Sequence, residues 1–120
     1  MASKVYVTHE DPRLDYSPAL EYGDKLIAVF PPGSGQIALS PQVALAHARN
    51  RLRDITQDDY LVLVGDPVMM GLCVAVAVEL IGKVKLLRWD RRTLKYFPIE
   101  VDFLARTPSE PVTNSYAVGQ

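Results

Sequence analysis

The chain has 120 residues, of which 48% are hydrophobic and 22% charged. Thirteen Lys and Arg oppose fourteen Asp and Glu, for a formal net charge of -1. The length suits one domain with a buried core, and the composition excludes disorder, collagen, coiled coil and a disulfide scaffold. The balanced charge argues against a protein built mainly to coat DNA or bind an anionic membrane.

Met1-Ala2-Ser3-Lys4 runs straight into a strand pattern, so no secretory leader is expected. Val5-Tyr6-Val7-Thr8 is β-branched and aromatic and predicts the first strand. His9-Glu10-Asp11 and Pro12 follow it. Residues 12–24 read as a loop with a short helical turn, Ser17 as its cap and Pro18 as its first residue. Lys25 to Phe30 is a second, almost wholly apolar strand, stopped by Pro31-Pro32-Gly33-Ser34-Gly35. Ser40-Pro41 opens a helix whose stripe is Leu45, Ala48, Leu52 and Ile55. His47, Arg49, Arg51 and Arg53 lie on its other faces.

Tyr60 to Val64 has no polar face, which fits a central parallel strand covered on both sides. Asp66 and Pro67 suit the N-cap and first turn of a helix over Val68 to Ile81, and Gly82 suits its end. That helix is apolar nearly all round and is expected to be the most buried one. It is too short to cross a bilayer, which takes about 20 apolar residues. Lys83 to Trp89 is the next strand, and Leu94 to Phe103 returns antiparallel after a turn. Phe97, Ile99, Val101 and Phe103 share one side of it, and Tyr96, Glu100 and Asp102 the other. Pro98 cannot donate to a ladder and places this strand at an edge.

The order predicts a single small α/β domain over residues 1–103. Its sheet is mostly parallel, of about five strands, with two main helices and an antiparallel C-terminal edge hairpin. Residues 104–120 are rich in Pro, Ser, Thr and Glu and read as a surface or partner-binding tail.

Ligands of open α/β sheets bind where the strands end at their carboxyl side. That rule selects His9, Asp11, Gly65 and Asp66 as candidate ligand-binding residues. Asp66 competes with any anion for the helix N-terminus, because its own carboxylate can cap the amides there. An enzyme would need His9, Asp11 and Asp66 to converge. Pro31 to Gly35 lacks the lysine and glycine spacing of a phosphate loop. Two histidines and the single Cys73 suggest no zinc site, and no serine-hydrolase elbow is present. Cys73 lies in an apolar run with no basic neighbour and reads as a buried hydrophobe. No cofactor or metal is expected, and a catalytic role is disfavoured.

Lys83, Lys85, Arg88, Arg91, Arg92 and Lys95 fall within thirteen residues, with Trp89 and Tyr96 among them. Such a hairpin can engage phosphates and stack bases, or simply solvate and protect a sheet edge. Alternation puts Arg88 and Trp89 on opposite faces.

The strand–Gly-Asp-Pro–helix–strand unit at 60–90 resembles the core of the CRISPR-associated Rossmann-fold domains that bind cyclic oligonucleotides. Its ligand loop is represented here by Val64-Gly65-Asp66-Pro67-Val68, without Lys or Thr. The whole chain resembles the short α/β proteins of bacteriophage genomes. That likeness rests on Val5 to Glu10, the Val-Gly-Asp-Pro turn, Leu87 to Arg91 and the return strand. It implies a small accessory protein that acts by binding, and it assigns no functional residue. The leading expectation is a non-enzymatic interaction protein, a phage accessory factor in the host cytoplasm that associates with itself or with a host protein. The alternative is a nucleotide or nucleic-acid binder using the strand-end crevice or the basic hairpin.

Overall fold

The computed structural model describes residues 3–34 and 40–105. Five strands form one sheet: β1 Lys4–His9, β2 Lys25–Phe30, β3 Tyr60–Val62, β4 Lys83–Asp90 and β5 Lys95–Asp102. Their spatial order is β2-β1-β3-β4-β5. The first four are parallel and β5 runs antiparallel to β4. Helix α1 spans Pro41–Leu52 and α2 spans Pro67–Ile81. A 3-10 turn occupies Ser17–Glu21. The α/β architecture expected from the sequence, with its antiparallel edge hairpin, is the one observed.

The chain leaves β1 in one direction to form β2, then returns past β1 to form β3. Right-handed crossovers travelling in opposite directions across a sheet lie on opposite faces. The 3-10 turn therefore covers one face while α1 and α2 cover the other. Period-two alternation supplies both cores. Tyr6, Leu61 and Val84 pack with Ala48, Leu52, Met69 and Cys73 on the helix side. Val5, Val7, Val62, Leu87 and Tyr96 pack with Tyr16 and Ala19 on the other.

Asp59 fastens the amino-terminal end of the sheet. Its buried carboxylate accepts from the Lys4 amide at 2.7 Å and the Thr56 amide at 2.8 Å, and pairs with Lys4 Nζ at 3.4 Å. The start of β1 is thereby tied to the turn that leads into β3.

Several local expectations change. The N-cap of the 3-10 turn is Tyr16, and Ser17, expected as the cap, is the first residue of the turn, its amide donating to Asp15 Oδ1. In α1 the buried stripe is Ala44, Ala48 and Leu52, with Leu45 only partly covered. Strand β3 stops at Val62, two residues early, because the Val64 amide and carbonyl bond the Thr8 hydroxyl. On β5, Phe97, Ile99 and Val101 share one side as expected, and that side is largely open: Phe97 is 40% and Ile99 37% exposed, whereas Tyr96 is buried. Helix α2 buries Met69, Cys73, Val76 and Ala77, while another flank is open, with Met70, Gly71, Val74, Ala75 and Val78 lining a groove there. Both differences have one cause. Helix α1 packs over β2 and α2 over β1 and β4, which leaves the helix side of β5 uncovered. Beyond β5, Asp102 Oδ1 accepts from the amides of Leu104 and Ala105. The rest of the expected tail lies outside the described residues, as does Gly35.

Cys73 is fully buried, and desolvation pushes its thiol up to about 12. The folded protein should resist alkylation by iodoacetamide at neutral pH and lose that protection in urea, as read by mass spectrometry. Rapid labelling in native buffer would contradict this burial.

Candidate functional site

The carboxyl ends of β1 and β3 meet at the point where the strand order reverses. His9 closes β1, and its Nδ1 accepts from the Asp66 amide at 3.0 Å. The neutral ring then carries its proton on Nε2. One residue earlier, Thr8 Oγ1 donates to the Val64 carbonyl at 2.7 Å and accepts from the Val64 amide at 2.9 Å. Gly65 passes directly against His9 with φ +93, so an added Cβ would collide with the His9 side chain and carbonyl. Gly65 therefore has both a steric and a conformational reason to be glycine.

His9, Asp11 and Gly65 do line one open crevice, together with Pro12, Arg13 and Gly33. Their polar groups are already engaged. Asp11 grips Arg13 through two oxygens at 3.0 and 2.9 Å, and this pairing holds its carboxyl down at about 2. The carboxylate of Asp66 accepts from the amides of Val68 and Met69 at the head of α2. Asp66, expected at the site, does not line the crevice: its amide bonds His9 and its carboxylate serves the helix. Both carboxylates predicted to join His9 thus have structural partners, Asp11 in Arg13 and Asp66 in the head of α2. His47 lies elsewhere: its Nε2 donates to the Val29 carbonyl at 2.6 Å and its ring packs on Phe30.

The basic hairpin divides into separate parts. The ladder register places Lys83, Lys85 and Trp89 on the 3-10 side and Arg88 on the helix side. Lys83 pairs with Glu100 at 3.5 Å, and Lys85 lies 5.0 Å above the Tyr60 ring. Arg88 stands over Phe97. Arg91, Arg92 and Lys95 gather at the far end of the hairpin, roughly 25 Å along the strand from Lys83. Trp89 packs edge-on against Tyr96, its cross-strand partner, at 4.8 Å.

Two surfaces escaped the sequence reading. One is an apolar groove between α2 and the end of β5, lined by Met70, Gly71, Val74, Ala75, Val78 and Phe103. Its signal was an all-round apolar helix followed by an apolar edge strand. The other is an aromatic cavity on the opposite face, built from Tyr16, Trp89 and Tyr96. Trp89 and Tyr96 share one hairpin, but Tyr16 is more than seventy positions away, and only the fold of the 3-10 loop brings it to them.

A family model described as Phage Pam3 gp32-like protein matches residues 3–103. The chain belongs to that phage protein family. The match takes in all five strands, both helices and both surfaces. No curated protein and no solved structure matches the chain. The likeness of residues 60–90 to the CRISPR-associated domains gains no support from these comparisons. Among the described residues, no helix is long and apolar enough to cross a membrane.

Asp66→Ala removes a cap that satisfies two amides, and should cost about 1 kcal/mol in a urea titration. Gly65→Ala should cost more, because it adds both a collision and an unfavourable φ. Equal stability of Asp66→Ala and the parent protein would show that the carboxylate is not structural.

Proposed function

We propose that this phage-family protein is a non-enzymatic interaction module that pairs with a second copy of itself in the host cytoplasm, through the apolar flank of α2 and the adjoining side of β5. The observation that carries this reading is the continuity of the exposed apolar surface. Helix α2 forms a ridge, and the channel between α2 and Phe103 forms a groove beside it. A two-fold rotation seats the ridge of one copy in the groove of the other, so the surface is self-complementary. Gly71 and Ala75 lie one turn apart on the exposed flank and let the two helices approach closely.

Charge supports the same occupant. None of the groove residues is ionisable. The sole carboxylate of α2, Glu79, is held by Arg49 through paired contacts of 2.9 Å. An uncharged surface asks for no oppositely charged partner, and a second copy meets it as well as any other protein. Exposed apolar surface of this kind marks interaction sites.

The sheet edge is a weaker platform. Pro98 interrupts the donors of β5, so an added strand would find a broken ladder.

Light scattering coupled to size exclusion should give a dimer mass. Ala75→Arg, at an exposed position, should give a monomer with an unchanged circular dichroism spectrum. A parent protein that stays monomeric at the highest soluble concentration would overturn the self-pairing.

A further inference from the structure

The cavity on the 3-10 side shares only Leu63 with the groove and has a different chemistry. It encloses about 290 Å³ and sits beside the carboxyl ends of β3 and β4. That is where open α/β sheets place their ligands. Three aromatic rings contribute to its wall: Tyr16 and Tyr96, each less than a tenth exposed, and Trp89 at the mouth, 39% exposed. Leu14, Val62 and Val64 complete the apolar lining. The one charged lining residue is Asp15, and none is basic.

Each wall is held in place by the fold. Trp89 and Tyr96 are directly opposed on β4 and β5 and packed edge to face. The Tyr96 carbonyl accepts from the Tyr22 hydroxyl at 2.8 Å, which ties β5 to the segment after the 3-10 turn. The Tyr16 hydroxyl accepts from the Asp11 amide at 2.8 Å, which fixes the loop that carries Leu14 and Asp15. Asp15 Oδ1 accepts from the Ser17 amide, and that bond keeps the carboxyl below its usual range and ionised at neutral pH. Burial raises the Tyr96 hydroxyl, and the nearby Tyr16 and Asp15 add to the effect, so Tyr96 remains neutral.

Electron-rich ring faces attract cations, and a desolvated cage of several rings does so more strongly than one exposed ring. A carboxylate at the rim adds attraction for positive charge and repels phosphates and carboxylates. The apolar floor favours a cation whose charge is clothed in carbon over a hydrated metal ion. A volume near 290 Å³ suits a small head group and excludes a dinucleotide. We propose that this cavity is a binding site for an alkylated ammonium group. The group can belong to a free small molecule or to a methylated lysine side chain of a partner protein.

Trp89 is the only tryptophan of the chain, so its fluorescence reports occupancy directly. The full-length protein is titrated with choline, with its uncharged isostere dimethylbutanol, and with a short trimethyllysine peptide. Choline should give a saturable change in Trp89 emission, and the isostere should bind at least about tenfold more weakly. Asp15→Asn keeps the acceptor for Ser17 and removes the charge, so it should weaken choline binding several-fold without moving the melting temperature. Calorimetry on Trp89→Leu gives a second readout that does not depend on the fluorophore, and the variant should lose choline binding. Peptide binding much tighter than choline supports the site and names a protein side chain as the source. Equal affinities support it with a free cation as the source. No saturable choline or peptide binding, or an isostere that binds as well as choline, overturns the proposal.

Discussion

Neighbouring strands lie about 4.8 Å apart and a helix is about 10 Å across, so each helix shields roughly two strands. Two helices shield four, and this sheet has five. The arithmetic decides where the core ends. Strands β2, β1, β3 and β4 receive cover on the helix side, and β5 receives none. Phe97 and Ile99, which alternate toward that side, are left exposed. The flank of α2 that faces away from α1 is bare for the same reason, since no third helix follows it in the described chain. The apolar groove is thus a consequence of counting elements. It follows from the topology and does not depend on any single side chain.

The ends of β1 and β3 are closed by a different economy. Thr8 bonds the backbone of Val64, His9 bonds the Asp66 amide, and Asp66 caps the head of α2. This stitching terminates β3 after three residues and orients α2 over the sheet. It also engages the Thr8 hydroxyl, His9 Nδ1 and the Asp66 carboxylate in structural bonds. The aromatic cavity lies on the opposite face of the same strand ends, where the 3-10 loop stands off the sheet and leaves room.

Much of the fold was legible in the sequence because it rests on local signals. Asp66-Pro67 and Gly82 bound α2 as expected, and Gly82 adopts φ +69. Pro98 marked the edge strand correctly. What was not legible depends on neighbours distant in sequence. The apolar row of β5 looks like a core face until α2 is seen to stop short of it. His9, Asp11 and Gly65 were brought to one crevice, but no spacing rule reveals that Arg13 and two helix amides occupy the carboxylates beside it. Trp89 and Tyr96 stood out as the aromatics of the hairpin, but nothing linked Tyr16 to them, because eighty positions separate Tyr16 from Tyr96.

The charge of the chain bears on how copies meet. Nine of the thirteen basic residues lie in 49–53 and 83–95, and five of the fourteen acidic ones lie in 10–24. None lies in the apolar groove. At a net charge of -1 there is little long-range repulsion between copies, so a modest apolar contact is not opposed at a distance. Nor does any strong field steer one copy onto another. Under the proposed pairing, orientation comes from shape at close range, through the groove beside α2. The aromatic cavity opens on the other side of the sheet, so the proposed pairing through α2 and the proposed cation site at Trp89 use different faces that meet at Leu63.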